Sequence, residues 1–305
     1  MAGKRSPILS VILILGVAAA FLWGSIAALS LLSGKLTRLP SISLGRKIGV
    51  IPVQGVIEDP RQILSQIVAF REDDSIRAII LRIDSPGGRV GPSQEIHREI
   101  LKTNEAKRVV VSMGDVAASG GYYIACAAER IVANPGTIVG SIGVMMEFLQ
   151  LQELLEKAGV GLEVLKSGEF KDVGSPHREM TPREREILME LIGDIQDQFV
   201  DAVARGRELS SDQVRKIADG RVFSGARAMD MGLVDQLGNF RDAVDLAKSL
   251  GGIRGEAELV YPSRPRRGWL DYLLRKTAFG LFDAARERLQ TRVEYKWEGL
   301  PAFSR

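Results

Sequence analysis

Apolar and polar positions along residues 48–133 follow two alternating periods, one typical of buried strands and the other of helices. Strands that alternate with helices indicate an α/β domain with a largely parallel sheet. Periodicity alone does not separate a Rossmann-like sheet from other folds of this class. Short apolar runs predict strands at residues 48–53, 78–83, 109–113 and 131–133, and helical spacing predicts helices at residues 60–70, 92–102 and 122–128.

A long amphipathic helix is predicted to begin directly after Thr181. Thr181 can cap the helix, Pro182 suits its first position, and Glu184 can complete a capping box. Apolar residues then recur at helical spacing, and the face that they form favours the core or a subunit contact over a ligand site. Two further helices are predicted at residues 211–218 and 240–250.

The first 34 residues predict a membrane anchor because residues 6–34 carry no charge. About 20 apolar residues cross a bilayer core, and this run is longer than that. It is also longer than the hydrophobic region of a typical cleaved signal peptide, so we expect an uncleaved transmembrane helix, although residues 18–20 resemble a cleavage site. Lys and Arg residues lie on both sides of the run, so charge alone does not orient it. Residues 35–47 follow as a polar linker.

The C-terminal segment, residues 251–305, differs from the rest of the chain and is predicted to be an extension of the main domain. A basic stretch at residues 262–267 leads into residues 269–289, which mix Leu, Phe and Trp with Arg and Lys. Two interpretations remain open for this mixture. One is an amphipathic helix at the membrane surface, and the other is a helix packed on the domain or on a neighbouring subunit.

Composition narrows the class of protein without defining its activity. The chain of 305 residues is 45% hydrophobic and 26% charged, with a net charge of +3, and this is ordinary globular composition. A basic stripe with interleaved aromatic residues is absent from the sequence, which argues against nucleic-acid binding. We expect no metal and no cofactor, since no ligand spacing or phosphate-binding loop occurs. The single cysteine, Cys126, is predicted to be a small core residue.

Ser119 is the leading candidate for a nucleophile. It follows the apolar strand at residues 109–113 and precedes the helix predicted at residues 122–128, within a run of small residues. A small-residue turn between a strand and a helix exposes a hydroxyl and allows a substrate backbone to approach closely. Ser119 therefore has the placement that a nucleophilic serine needs.

A serine nucleophile needs a base to take its proton, and three residues compete for that role. His97 lies on a charged helix and His177 in a turn-like loop, and they are the only histidines of the chain. Lys171 is the stronger candidate, following a strand-like segment at residues 162–165. Burial would favour its neutral amine, which can accept a proton.

Six motifs resemble the bacterial signal peptide peptidases of the SppA type, in their single-domain, membrane-anchored form. They occur in the order of that family, from about residue 48 to residue 246. The resemblance implies a serine protease domain at residues 48–250, with the spiral α/β fold of ClpP and the crotonases. It also implies a Ser/Lys dyad with Ser119 as nucleophile and Lys171 as general base. The motifs are DSPGG at 84–88, AASGGYY at 117–123, VGSIGV at 139–144, KSGEFKD at 166–172, SPHREMT at 175–181 and ADGRVF at 218–223.

The same resemblance implies that the amide of Gly87 or Gly88 stabilises the oxyanion. Gly120, directly after the nucleophile, is the expected second donor by the geometry of a strand-to-helix elbow. Ser141 is a candidate for orienting the amine of Lys171, although a serine that satisfies a turn is an equally good interpretation. We assign no catalytic role to Asp115 or Asp172.

The expected function is a membrane-anchored serine endopeptidase that degrades cleaved signal peptides in or near the membrane. The expected partners are hydrophobic peptides, the membrane and other copies of the chain in a ring-like homo-oligomer. The expected location is the inner (cytoplasmic) membrane, crossed once, with the catalytic domain outside the cytoplasm. Three alternatives are a quality-control protease for other hydrophobic segments, a crotonase-type acyl-CoA enzyme and a non-catalytic membrane scaffold. Substrate preference, subunit number and physiological targets do not follow from the sequence.

Overall fold

The computed structural model describes residues 21, 23–25, 47–262 and 293–297. Residues 21 and 23–25 are helical, and no helix among the described residues is long and apolar enough to cross a membrane. The predicted anchor therefore lies outside the described residues except for those four positions. The linker predicted at residues 35–47 lies outside them except for its last residue, and the segment 269–289 lies outside them entirely.

Short apolar runs form the central sheet, as the alternating pattern predicts. Its main path has the order β10-β1-β2-β4-β5-β9, and all neighbours on this path are parallel. β6 pairs in parallel with the far end of β4, and β8 is antiparallel to β6. The strands are β1 (Lys47–Gln54), β2 (Ile76–Ser85), β3 (Gly87–Arg89), β4 (Arg108–Ala118), β5 (Arg130–Ala133), β6 (Ile138–Gly140), β7 (Met145–Met146), β8 (Val222–Ser224), β9 (Gln236–Leu237), β10 (Glu258–Val260) and β11 (Val293–Lys296).

Helices cover both faces of this sheet, which explains why its strands read as continuous apolar runs. Successive residues of β2 point into different clusters. Ile79 and Leu81 pack in the larger core, and Ala78 and Ile80 pack in a smaller core with helix α8. The helices are α1 (Arg61–Glu72), α2 (Val90–Asn104), α3 (Gly120–Ala125), α4 (Gln152–Lys157), α5 (Pro182–Arg207), α6 (Ser211–Arg215), α7 (Gly225–Asp230) and α8 (Phe240–Leu250).

The start of α5 is confirmed in detail. Glu184 donates its backbone N–H to the Thr181 hydroxyl, and the Glu184 carboxylate accepts the backbone N–H of Thr181, with Pro182 in the first turn. This reciprocal pair satisfies donors that a helix otherwise leaves without partners. The local sequence therefore determines where this helix begins.

A second, smaller sheet has the order β3-β11-β7, with β11 antiparallel to both neighbours. It joins a strand near the C-terminus to the glycines that follow β2. The main sheet also extends past residue 250, because β10 pairs with β1. Both strands belong to the segment that the sequence assigned to a C-terminal extension.

Two expectations about local structure are wrong. Residues 162–165 form no strand, and they lie exposed in a coil between α4 and α5. An apolar run becomes a strand only where a neighbouring strand can pair with it, and in the structure none is paired with this segment. The helix predicted at residues 211–218 ends at Arg215. Turn residues replace its last part.

Candidate active site

Ser119 lies at a sharp junction between β4 and α3. Its backbone has φ 53° and ψ −119°, a conformation that is uncommon for a residue with a side chain. The Ser119 N–H donates to the Gly140 carbonyl at 2.7 Å, and the Ser119 carbonyl accepts the Tyr123 N–H at 2.8 Å. Such strain persists only where surrounding structure holds it, and it concentrates at functional sites.

The Ser119 hydroxyl is enclosed and lacks a hydrogen-bond partner among the described residues. The residue is 1% exposed, and its Oγ donates to and accepts from none of them. A buried polar atom without a partner is costly, typically about 1–3 kcal/mol. Native proteins rarely keep such an atom without a functional reason. The position therefore fits a hydroxyl reserved for a reaction.

The three glycines predicted to stabilise an oxyanion converge beside this junction. A Cβ at Gly87, where φ is +103°, would lie 2.7 Å from the Gly120 nitrogen, and a Cβ at Gly120 would lie 3.1 Å from the Gly88 nitrogen. Only glycine allows these backbones to approach so closely. The Gly87 N–H already donates to the Ser85 hydroxyl at 3.1 Å. Of the two alternatives left by the sequence, Gly88 is therefore the better donor.

Ser141 lies beside Ser119 because the strands before them are paired. Ala118 of β4 is in register with Gly140 of β6, so the next residue of each chain segment lies at the same edge. Ser141 is 6% exposed and has φ 50°, like its neighbour. It also lines a cavity of about 500 Å³ together with Lys296 and Trp297.

Lys171 is not brought to Ser119 within one chain. It lies exposed in a turn, whereas the sequence led us to expect a buried amine after a strand. Because Ser119 Oγ has no partner among the described residues, the Lys171 amine is outside hydrogen-bonding distance of it. The physical reason is the missing strand at residues 162–165, which leaves the whole segment on the surface.

An ion-pair network holds the turn that carries Lys171. Asp172 accepts hydrogen bonds from Lys166 at 2.7 Å and from Arg178 at 2.8 Å. Arg178 also donates to the carboxylate of Glu184, a residue that is 3% exposed at the start of α5. Arg178 is the main cause that lowers the pKa of both carboxyl groups, to about 2 for Glu184. Asp172 thus connects the turn to the helix.

Neither histidine approaches Ser119. His97 on α2 is half-buried and packs against Tyr123, with 4.8 Å between ring centroids. Burial, and then the charge of Arg205, lowers the pKa of His97 to about 4. His177 lies in a turn and shares a hydrogen bond of 2.7 Å between its Nδ1 and the Ser175 hydroxyl. These positions fit the structural roles expected from the sequence.

Cys126 is confirmed as a core residue. It is fully buried, and its thiol donates to the Tyr123 carbonyl at 3.2 Å. Burial raises the pKa of this thiol to about 12, which keeps it protonated at neutral pH.

Sequence reasoning missed the strand that lies over the glycines. β11 is antiparallel to β3, and the carbonyl oxygen of Tyr295 lies 2.1 Å from the position of a Cβ at Gly87. The only local signal is the alternation of polar residues with Val, Tyr and Trp at residues 293–297, a pattern typical of a short strand. Its pairing partner lies about 200 residues earlier, at a distance that local patterns do not encode.

Two family models match the chain. Peptidase family S49 matches residues 102–254, and the Clp protease family matches residues 46–137. The second match agrees with a Clp-protease-like mixed α/β fold. The first covers half of the chain and includes Ser119, Ser141 and Lys171.

Curated relatives agree with the family matches. A Synechocystis protein named as a protease is 45% identical over 212 residues, which cover 69% of this chain and 76% of the relative. An Enterococcus faecium protein named signal peptide peptidase SppA is 36% identical, over 67% of this chain and 63% of its own. The chloroplastic serine protease SPPA of Arabidopsis thaliana is 36% identical over 76% of this chain and 35% of its own. The chain therefore belongs to peptidase family S49 and is a serine peptidase of the SppA type.

Proposed function

We propose that the chain is a membrane-anchored serine endopeptidase that cleaves hydrophobic peptides, above all signal peptides left after processing, with Ser119 and Lys171 as its dyad. Its domain adopts the spiral fold of ClpP and the crotonases, preceded by one transmembrane helix. The observation that carries the proposal is the strained Ser119, whose buried hydroxyl lies beside the Gly88–Gly120 pair and Ser141. An acyl-CoA enzyme would leave this hydroxyl without a role.

The reaction follows from the groups around Ser119. The hydroxyl oxygen forms a bond to the scissile carbonyl carbon while its proton passes to the neutral amine of Lys171. The Gly88 and Gly120 amides stabilise the negative charge on the carbonyl oxygen, and loss of one such donor costs about 3–4 kcal/mol. The C–N bond then breaks and Lys171 returns the proton to the leaving amine. Water, activated in the same way, releases the acyl group from Ser119.

In this proposal the base comes from a neighbouring copy of the chain. Lys171 is exposed on a turn that the Asp172–Arg178–Glu184 ion pairs hold in place, while Ser119 is buried and unpartnered in the same chain. A ring-like homo-oligomer would present each exposed turn to the next copy in a repeated, head-to-tail interface. Burial at that interface would favour the neutral amine of Lys171. Ser141 would then accept or donate a hydrogen bond that orients this amine.

Substrate class and location rest on the printed names and on the uncharged N-terminal run. One relative is named a signal peptide peptidase, and signal peptides are hydrophobic segments released inside the membrane. An anchor at residues 1–34 would hold the domain against that membrane, on its outer side. In this arrangement the enzyme crosses the inner membrane once and meets its substrates where they are released.

Mixing two inactive variants tests the shared dyad. Purified Ser119→Ala and Lys171→Ala chains should each lack peptidase activity. When the two are mixed in equal amounts and allowed to exchange subunits, about one quarter of the interfaces combine an intact serine with an intact lysine. We therefore expect up to about a quarter of the wild-type rate, measured with a fluorogenic hydrophobic peptide.

The controls make the result decisive. Each variant alone, treated in the same way, should stay inactive, and size-exclusion chromatography should show subunit exchange. Exchange without any recovery of activity would contradict a base from a neighbouring copy. Activity in Lys171→Ala alone would remove Lys171 from the mechanism.

A further inference from the structure

The C-terminal strand β11 lies in a groove between β3 and β7, next to the candidate nucleophile. Tyr295 is in register with Gly88 and Lys296 with Gly87, while Glu294 is in register with Met145 on the other side. The Trp297 N–H donates to the Pro86 carbonyl at 2.8 Å, which extends the ladder by one more residue. A segment of this chain therefore occupies the groove as an added strand, the way extended peptides bind to exposed sheet edges.

The carbonyl of Tyr295 lies where the three glycines meet. In an antiparallel ladder, hydrogen-bonded pairs recur at every second residue. Since the Trp297–Pro86 pair is hydrogen-bonded, so is the Tyr295–Gly88 pair, and the Gly88 N–H is directed at the Tyr295 carbonyl oxygen. The same oxygen lies 3.1 Å from the position of a Cβ at Gly120. This carbonyl therefore takes the place of a scissile carbonyl.

The side chain of Tyr295 fills an aromatic pocket beside the glycines. Its ring is fully buried, stacks on Tyr123 with centroids 5.1 Å apart, and contacts Phe199 at 4.6 Å. The Tyr295 hydroxyl donates to the Ile195 carbonyl at 3.3 Å. His97 packs on the far side of Tyr123 and completes the wall. Aromatic pairs with this spacing contribute about 0.5–1.5 kcal/mol beyond burial.

We infer that this groove is the peptide-binding site of the peptidase, that its pocket selects a tyrosine or phenylalanine immediately before the cleaved bond, and that β11 is an internal competitor for it. The inference rests on the proposed role of Ser119 and adds the substrate class. A substrate must displace β11 before it can bind, so the fraction of chains with an open groove scales its apparent affinity. The cavity lined by Ser141, Lys296 and Trp297 continues the groove beyond the cleaved bond.

A binding assay tests the groove without requiring turnover. The full-length Ser119→Ala chain in detergent is titrated against two labelled peptides, acetyl-VEYKW and acetyl-VEAKW, and fluorescence anisotropy reports binding. We expect the tyrosine peptide to bind at least tenfold more tightly. Adding Tyr295→Ala to the chain should tighten binding of the tyrosine peptide at least tenfold, because the internal strand loses its anchor, whereas Tyr295→Phe should change it by less than threefold.

Equal affinity for the two peptides in the full-length chain would overturn the inference, and so would unchanged affinity in a folded Tyr295→Ala chain. If Tyr295→Ala fails to fold, the comparison of the two peptides on the Ser119→Ala chain still decides. A rate assay on the wild-type chain separates this inference from the proposed function. Hydrolysis that depends on Ser119 but is as fast with alanine as with tyrosine would remove the pocket alone. Tight, tyrosine-selective binding without any hydrolysis would remove the peptidase mechanism and keep the groove.

Discussion

At the scale of single residues, Ser119 combines three properties that seldom occur together. Its backbone lies in a region that glycine usually occupies, its side chain is buried, and its hydroxyl has no partner among the described residues. Each property has a cost in stability, and together they favour chemistry over structure at this position. Ser141 shares the backbone conformation and lies at the same edge of the sheet.

Replacing Ser119 with alanine should abolish peptidase activity without unfolding the chain. The substitution removes only a hydroxyl that makes no hydrogen bond in the structure, so stability should stay within about 1 kcal/mol or increase. Loss of a nucleophile lowers the rate by several orders of magnitude. Ser175→Ala, at a partly buried serine bonded to His177, is the matched control and should keep most activity. Near-normal turnover by purified Ser119→Ala would remove Ser119 from the mechanism.

His97 should make folding stability depend on pH between about 4 and 6.5. Its pKa is about 6.5 unfolded and about 4 in the folded chain, so only the unfolded chain binds the proton in this window. Stability should therefore fall as the pH drops through it, by roughly 2–4 kcal/mol from this group. Urea unfolding of wild type, His97→Gln and His97→Phe at several pH values measures the effect. Both variants should show a shallower decline, and an identical decline in all three would contradict the assignment.

At the scale of elements, the turn before α5 is organised by ion pairs and a helix cap. Asp172, Arg178 and Glu184 connect the turn that carries Lys171 to the first residues of the helix. Glu184 serves both the capping box and Arg178, so the start of the helix and the position of the turn are coupled. The long helix provides a fixed platform for an otherwise exposed segment.

Arg178→Gln should lower both stability and activity. Removing the guanidinium leaves the buried Glu184 carboxylate without its cation and frees the turn that carries Lys171. We expect a measurable fall in the thermal midpoint and a loss of kcat of at least tenfold, since a displaced base works poorly. Arg183→Gln is the matched control, because its pair with Glu186 is exposed and should contribute little. Equal effects of the two substitutions would show that the network does not position the turn.

At the scale of the whole molecule, the two sheets divide the work. The parallel sheet holds Ser119 and Ser141 at the ends of paired strands, and the small antiparallel sheet brings a distant segment against the glycines. The exposed turn with Lys171 lies outside both sheets. An active site assembled from more than one copy explains why one chain keeps its nucleophile and its proposed base apart.

The full-length chain should remain in the membrane with its N-terminal run intact. Residues 6–34 carry no charge, and a run of this length is stable in a bilayer core. Membranes washed with carbonate should retain the protein, and intact mass measurement should find the complete N-terminus. A soluble protein that begins near Lys35 would instead show that the run is a cleaved signal.

The sequence by itself determined the elements whose signals are local. The alternation of strands and helices, the cap at Thr181 and the small-residue turn at Ser119 are all encoded within a few neighbouring residues, and the structure has all three. Only the tertiary structure decided which distant segments meet. It pairs β11 with the glycines, selects Gly88 over Gly87 by using the Gly87 N–H elsewhere, and leaves Lys171 on the surface. These outcomes depend on strand pairing and on backbone approach across the fold, which local periodicity does not encode.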